Sequence, residues 1–191
     1  MNMRIKIVAI VDESIARRLR EHPEVIPKGK DQYTETLLLQ PKGAYGAPEL
    51  IAIRVRGEMD ERAIAVHLGH DLRNQEESLI EQGEKDRLMY KYMQLNFQPI
   101  GEFSVVEEYF RYKEFFLRLT TYDKFGMFLT IERKFPGENT HLFAEKQRRA
   151  MQFLRELGIG SNSIIDVDVR GLVVLSFLRQ ALEGKQGEEQ G

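Results

Sequence analysis

The stretch from Phe103 to Leu157 constrains this 191-residue chain most. Its patterning predicts strands at about 101–112, 114–121 and 126–135, followed by a long amphipathic helix. In the last strand Phe128, Thr130, Glu132 and Lys134 fall on one side, and Leu129 and Ile131 on the other. Successive strand residues point to opposite faces, so one face is aliphatic and the other carries a carboxylate and an ammonium. A sheet of this kind divides a dry side from a wet one, and an antiparallel sheet with a charged face forms a polar cleft or tunnel. Functional residues are therefore expected on the side of Glu132.

The same rules extend along the chain. Residues 3–11 alternate, with Arg4 and Lys6 opposite Ile5, Ile7 and Ala9, and predict a strand with one charged face. Asp12 is placed to cap a helix at about 13–21, with Ile15 and Leu19 as its buried stripe. Residues 24–32, rich in Lys, Gly and Pro, read as a loop, and Thr34–Leu39 as a strand. Glu49–Arg56 is a further strand, with Ile51, Ile53 and Val55 on one face and Arg54 and Arg56 on the other. Arg62–Leu68 is its hairpin partner, and another strand is expected over about 72–78. A helix begins near Glu84, since Gly83 weakens the turns before it. The long helix starts at 139–141, carries Leu142, Phe143, Ala150, Met151, Leu154 and Leu157 as its stripe, and ends at Gly158 in the C′ position. A last helix is expected at about 170–182. Strands mixed with three or four helices, without βαβ repetition, define an α+β chain. It is expected to be one domain over 1–182, with a disordered polar tail at 183–191.

Composition narrows the function classes. The chain has 28 Lys+Arg against 30 Asp+Glu, a formal charge of -2, so it lacks the basic excess of a nucleic-acid binder and no DNA partner is expected. Cysteine is absent, which removes disulfides, thiolate metal sites and a cysteine nucleophile. No apolar run is long enough for a membrane span and the N-terminus does not read as a signal peptide, so a soluble cytoplasmic protein is expected. No Gly-rich phosphate loop, nucleophile elbow or dinucleotide fingerprint is present.

Several segments, taken in order, carry a family resemblance. Tyr92-Met93-Gln94-Leu95-Asn96-Phe97-Gln98-Pro99-Ile100 resembles L-x-x-L-G-F-x-P-V, and Phe125–Glu132 is similar to L-G-x-F-x-E-I-E. Phe143–Ile159 resembles a helix ending L-x-x-L-G-I, and Ala52-Ile53-Arg54-Val55-Arg56 resembles A-L-R-I-R. Ala65-Val66-His67 stands where T-L-K is expected, and Arg73-Asn74-Gln75-Glu76-Glu77 where R-x-E-x-E is expected. Together they resemble the CYTH superfamily, which includes class IV adenylate cyclases, thiamine triphosphatases and inorganic tripolyphosphatases. The resemblance implies an antiparallel β-barrel or tunnel of about eight strands with helices outside, and triphosphate chemistry that uses Mg²⁺ or Mn²⁺.

The sequence also departs from that pattern. Arg4, Lys6 and Val8 stand where the family signature has E-x-E-x-K, Thr130 replaces the first glutamate of E-I-E, and Gln75 replaces another. Of the carboxylates that the resemblance implies, Glu77 and Glu132 remain as candidate catalytic or metal-holding residues. Arg4, Lys6, Arg54, Arg56 and Arg73 form a candidate anion-binding set, joined by His67 in the place of a substrate-contacting lysine. Arginine forks match phosphate and carboxylate oxygens two at a time. The expected partner is an anionic or phosphorylated small molecule, bound with lost or altered catalysis. An active metal-dependent phosphohydrolase or cyclase is the alternative. The plainer reading makes the same residues solvated strand faces with ordinary ion pairs. Three further readings stand beside these. His67, His70 and Asp71 are a weak metal candidate, because i and i+3 on a strand face opposite ways. Glu107, Glu108, Tyr109, Phe110, Arg111 and Tyr112 could stack a base, or fill a core. The long helix, with Lys146, Arg148, Arg149 and Arg155, could be a partner surface. Monomer and homodimer both satisfy the sequence.

Overall fold

The computed structural model describes residues 3–41, 48–56, 60–67, 75–80, 83–135, 140–166, 168–176 and 179, with 3, 60–67, 75–77 and 140 described by backbone alone. The strands are β1 (Met3–Val11), β2 (Val25–Gln40), β3 (Glu49–Arg56), β4 (Asp60–His67), β5 (Gln75–Ile80), β6 (Gln98–Tyr112), β7 (Phe115–Tyr122), β8 (Gly126–Phe135) and the short β9 (Ile164–Ile165). The helices are α1 (Glu13–Glu21), α2 (Lys85–Gln94), α3 (Thr140–Glu156) and α4 over residues 169–176. The fold is α+β, with an antiparallel sheet. Among the described residues its strands, nine with the two-residue β9, follow the order β5-β4-β3-β2-β6-β7-β8-β1-β9. Among the described residues no ladder joins β5 to β9, the two ends of this order.

The chain divides into two compact units, Met1–Asp31 with Val105–Asp166 and Gln32–Ser104 with Val167–Gly191; β2 and β6 run through both. In the first unit β7 follows β6 after a two-residue turn, with Tyr112 opposite Phe115 and Lys113 at φ 51. β8 pairs with β7 on one side and β1 on the other. The aliphatic face expected from alternation is a single core. Ile5, Ile7, Ala9 and Val11 of β1 meet Leu117, Leu119, Leu129 and Ile131, and Ala16, Leu19, Ala150, Phe153 and Leu154 of α1 and α3 close over them with Leu157 just past α3. That accounts for the stripe of α3, which packs on its own sheet. In the second unit, Leu38, Ile51, Ile53 and Phe97 form a smaller core against Leu88, Met89 and Tyr92 of α2.

The ends of the helices follow local rules. Asp12 accepts from the Ile15 amide at 2.9 Å, the N-cap its side chain predicts. α3 ends in a Schellman motif, in which the Gly158 amide donates to the Arg155 carbonyl and the Ile159 amide to Leu154, each at 2.9 Å. Gly158 sits at φ +88, and a Cβ there would lie 2.5 Å from Nη1 of Arg18. That nitrogen donates to the Leu157 carbonyl at 3.3 Å, an interaction that binds α1 to the end of α3. Gly158→Ala is therefore expected to destabilise the protein by about 1–3 kcal/mol, read as a lower urea midpoint at unchanged slope.

Two readings need correction. Residues 25–32 are not a loop but the first half of β2, with Pro27 and Gly29 inside the strand. The positions from Ile26 to Lys30 are exposed, where a missing side chain or amide costs little, and pairing with β6 overrides their turn propensity. The side of β8 that carries Glu132 is also not wet along its length. Phe128 and Thr130 are both buried, and the charged part of the face is open at Glu132 and Lys134. The strand expected at 72–78 lies at Gln75–Ile80.

Candidate functional site

In the first unit, register builds a polar end to the sheet. Lys6 of β1 is opposite Glu132 of β8, which is opposite Phe116 of β7, which is opposite Arg111 of β6. One step toward the strand ends, Arg4 is opposite Lys134. One step inward, Val8, Thr130, Arg118 and Tyr109 form the next row. Across β1, β6, β7 and β8, strand alternation thus places Arg4, Lys6, Arg111, Arg118 and Lys134 on the same face as Glu132 and Glu107, and Asp31 of β2 acts on Tyr109 of that face. Sequence reading placed Arg4, Lys6 and Glu132 together, and the structure brings these three together. It did not find Arg118, although the parity of Phe116, Arg118 and Thr120 within 114–121 carried the signal.

Both carboxylates are engaged. Arg4 Nη2 lies 2.7 Å from Glu132 Oε2. Glu107 is 3% exposed and accepts from the Tyr109 hydroxyl at 2.5 Å and from Thr120 Oγ1 at 3.5 Å. Arg118 Nε approaches it at 3.7 Å. Burial, and then the hydrogen bond to Glu107, raise the pKa of the Tyr109 phenol well above its ordinary value, so Tyr109 is a donor that fixes Glu107 and not a base.

The face opens into a cleft of about 500 Å³ lined by Arg111, Glu114, Phe116, Glu132, Arg133 and Lys134. Phe116 is 47% exposed between these charges. Glu114, in the β6–β7 turn, is the second carboxylate of the cleft. Lys146 Nζ lies 2.6 Å from it, Arg133 3.3 Å and Arg149 3.8 Å. The basic residues of α3 that suggested a partner surface are thus partly used in holding this turn.

Among the described residues, the side chains of this face do not fit the Mg²⁺ or Mn²⁺ expected from the CYTH resemblance. Such ions need several carboxylate or carbonyl oxygens turned toward one point. Glu132, Glu107 and Glu114 each face a guanidinium or an ammonium instead, and among the described residues no three His, Asp or Glu side chains converge.

The second unit holds the other expected residues. Arg54 is 4% exposed, its guanidinium 4.0 Å over the Tyr33 ring and its Nη2 3.5 Å from Glu35 Oε2. Arg56, half-buried, lies 5.8 Å from the same ring. Glu35 is wholly buried and lies 3.0 and 3.1 Å from Nε of Arg170, whose amide donates to Asp168 at 2.9 Å as α4 begins. Arg54 is thus part of an ionic network enclosed within its unit. Glu35 has no periodic signal in the sequence, because its partners Arg54 and Arg170 are 19 and 135 residues away. Backbone register puts position 67 opposite Glu49, on the Ile51 side of β3 and away from Arg54; position 77 is opposite Ile64, on the Arg54 side. Arg73, His70 and Asp71 lie outside the described residues. Among the described residues no helix is long and apolar enough to cross a membrane.

No protein-family model and no curated protein sequence matches the chain. Its fold matches solved structures. A proposed adenylate cyclase from Vibrio parahaemolyticus aligns with TM-score 0.61 at 13% identity, over 91% of this chain and 97% of that one. A protein of Pyrococcus horikoshii aligns with TM-score 0.61 at 16% identity, over 91% and 99%. A second proposed adenylate cyclase, from Bacillus halodurans, aligns with TM-score 0.53 at 12% identity, over 83% and 91%. At these identities the likeness is one of fold.

Proposed function

We propose that this chain is a divergent CYTH-like protein that binds a phosphorylated or otherwise polyanionic small molecule, with lost or altered catalysis. The observation that supports this reading most is the cleft at the end of β6, β7 and β8. Arg111, Arg133 and Lys134 line it, and Arg4 and Lys6 stand on the same sheet face, while its carboxylates are already neutralised. Guanidinium and ammonium groups at such a rim complement several phosphate oxygens at once. Likeness of fold to two proteins described as adenylate cyclases favours a triphosphate-bearing ligand.

Titration with tripolyphosphate at low salt is expected to give a Kd below about 1 mM that weakens as salt screens the rim. The double substitution Arg111→Glu and Lys134→Glu is expected to abolish it. Failure of the unaltered protein to bind sinks the reading. The second reading, turnover of a triphosphate, draws on the same two neighbours. It is decided by product formation from ATP, tripolyphosphate and thiamine triphosphate with Mg²⁺ or Mn²⁺, and by whether Glu132→Gln abolishes it.

A further inference from the structure

We infer that the anion site of the first unit takes its ligand as the bare anion and is opposed by divalent metal ions, so that Mg²⁺ competes with the site rather than completing it. The inference rests on the polyanion reading above and adds the ionic form of the ligand.

The argument is one of charge and coordination. A site for a metal-chelated phosphate presents carboxylates to the metal and cations to the remaining oxygens. The first strand here supplies Arg4 and Lys6, and Lys6 lies opposite the glutamate that would have to bind the metal. Glu132 Oε2 is 2.7 Å from a guanidinium nitrogen of Arg4, so a divalent ion would have to displace that arginine and remain beside it and Lys6. The neighbouring positions on the same face, Val8 and Thr130, carry no charge and are buried. Glu107 cannot turn to help: it is 3% exposed, tied to Tyr109 and faced by Arg118. Glu114, across the cleft, lies between Lys146 and Arg133. Each of these three carboxylates thus faces a fixed cation, and Arg111 and Lys134 bring further positive charge to the cleft. Repulsion of a divalent ion at such distances is worth several-fold in affinity even under strong screening. A magnesium–phosphate complex also carries less negative charge than the free anion, so it gains less from the same rim.

On this account Glu132 is a restraint on Arg4, and its charge works against the ligand. The two roles predict opposite signs. Calorimetric titration of the full chain with tripolyphosphate, with 5 mM free Mg²⁺ or with NaCl matched in ionic strength, reads the first. Binding at least about threefold weaker with Mg²⁺ is expected, and binding that is unchanged or tighter overturns the inference. The same titration on Glu132→Gln reads the second. Removal of one negative charge is expected to tighten metal-free binding by roughly fivefold, whereas weaker binding overturns the inference. Mn²⁺ relaxation of water protons supplies a readout that needs no phosphate. Equal, weak Mn²⁺ affinity for the unaltered protein and Glu132→Gln supports the inference, and tighter binding that depends on Glu132 overturns it. Absence of tripolyphosphate binding in both salts removes the anion site itself, whereas binding in Mg²⁺ alone leaves that site standing and overturns only its metal-free form.

Discussion

Replacing Glu35 by leucine is expected to cost about 3–5 kcal/mol and to loosen α4 from the sheet of the second unit. Glu35 is wholly buried, and it is approached by Arg170 at 3.0 and 3.1 Å and by Arg54 at 3.5 Å. Removing the carboxylate takes the negative charge from between two buried guanidinium groups, of which Arg170 keeps Asp168 at 3.9 Å. The penalty comes from those stranded charges more than from lost attraction, because burying an ion pair returns little net stability. Replacing the arginines as well is therefore expected to recover much of the loss: Glu35→Leu with Arg54→Met and Arg170→Met should be more stable than Glu35→Leu alone. Urea midpoints measure both. A single-substitution effect below about 1 kcal/mol would show that the network is hydrated.

The second large effect is expected in the first unit. Phe153→Ala should cost about 3–5 kcal/mol by equilibrium unfolding. Phe153 is 1% exposed, its ring stacks on Tyr112 with centroids 3.9 Å apart, and it meets His22 edge-on at 5.4 Å. Truncation opens a cavity between α3 and the sheet at the point where the end of α1 also packs. Phe153→Leu should recover a good part of the loss by refilling volume without restoring the ring stack.

These two expectations mark how far alternation reaches. The dry face of the first unit was legible because Ile5, Ile7, Ala9, Leu129 and Ile131 repeat at a period of two, and Leu154 and Leu157 lie on the same helical stripe as Ala150. The caps were legible because Asp12 and Gly158 act within five residues of themselves. Phe153 was harder to find, since it lies at the margin of the stripe and its weight comes from Tyr112, far away in sequence. The buried half of the polar face was not legible at all. Phe128, Thr130 and Thr120 follow the same alternation as Glu132, and only the packed structure shows that they are covered.

The candidate site divides in the same way. Arg4, Lys6 and Glu132 could be placed on one face from strand parity alone. That Glu132 is bound by Arg4, and that Glu107 is engaged with Tyr109 and Arg118, depends on pairing between β1 and β8 and between β6 and β7, which a period of two does not encode. Arg54 had the same sequence signature as an anion-gripping arginine, a cation among aliphatic residues on a strand. Tyr33 and Glu35 hold it instead, with Arg170 on the same glutamate.

The sequence by itself determined the α+β class, the dry faces, the helix ends and the replacement of acidic by basic residues on the first strand. These depend on neighbours within a few residues, where local geometry allows few arrangements. Tertiary structure decided which charges meet, which are shut away from water, and that the face of Glu132 is covered at Phe128 and Thr130. Coulomb and desolvation energies depend on distances between residues remote in sequence, and those distances exist only once the strands have paired.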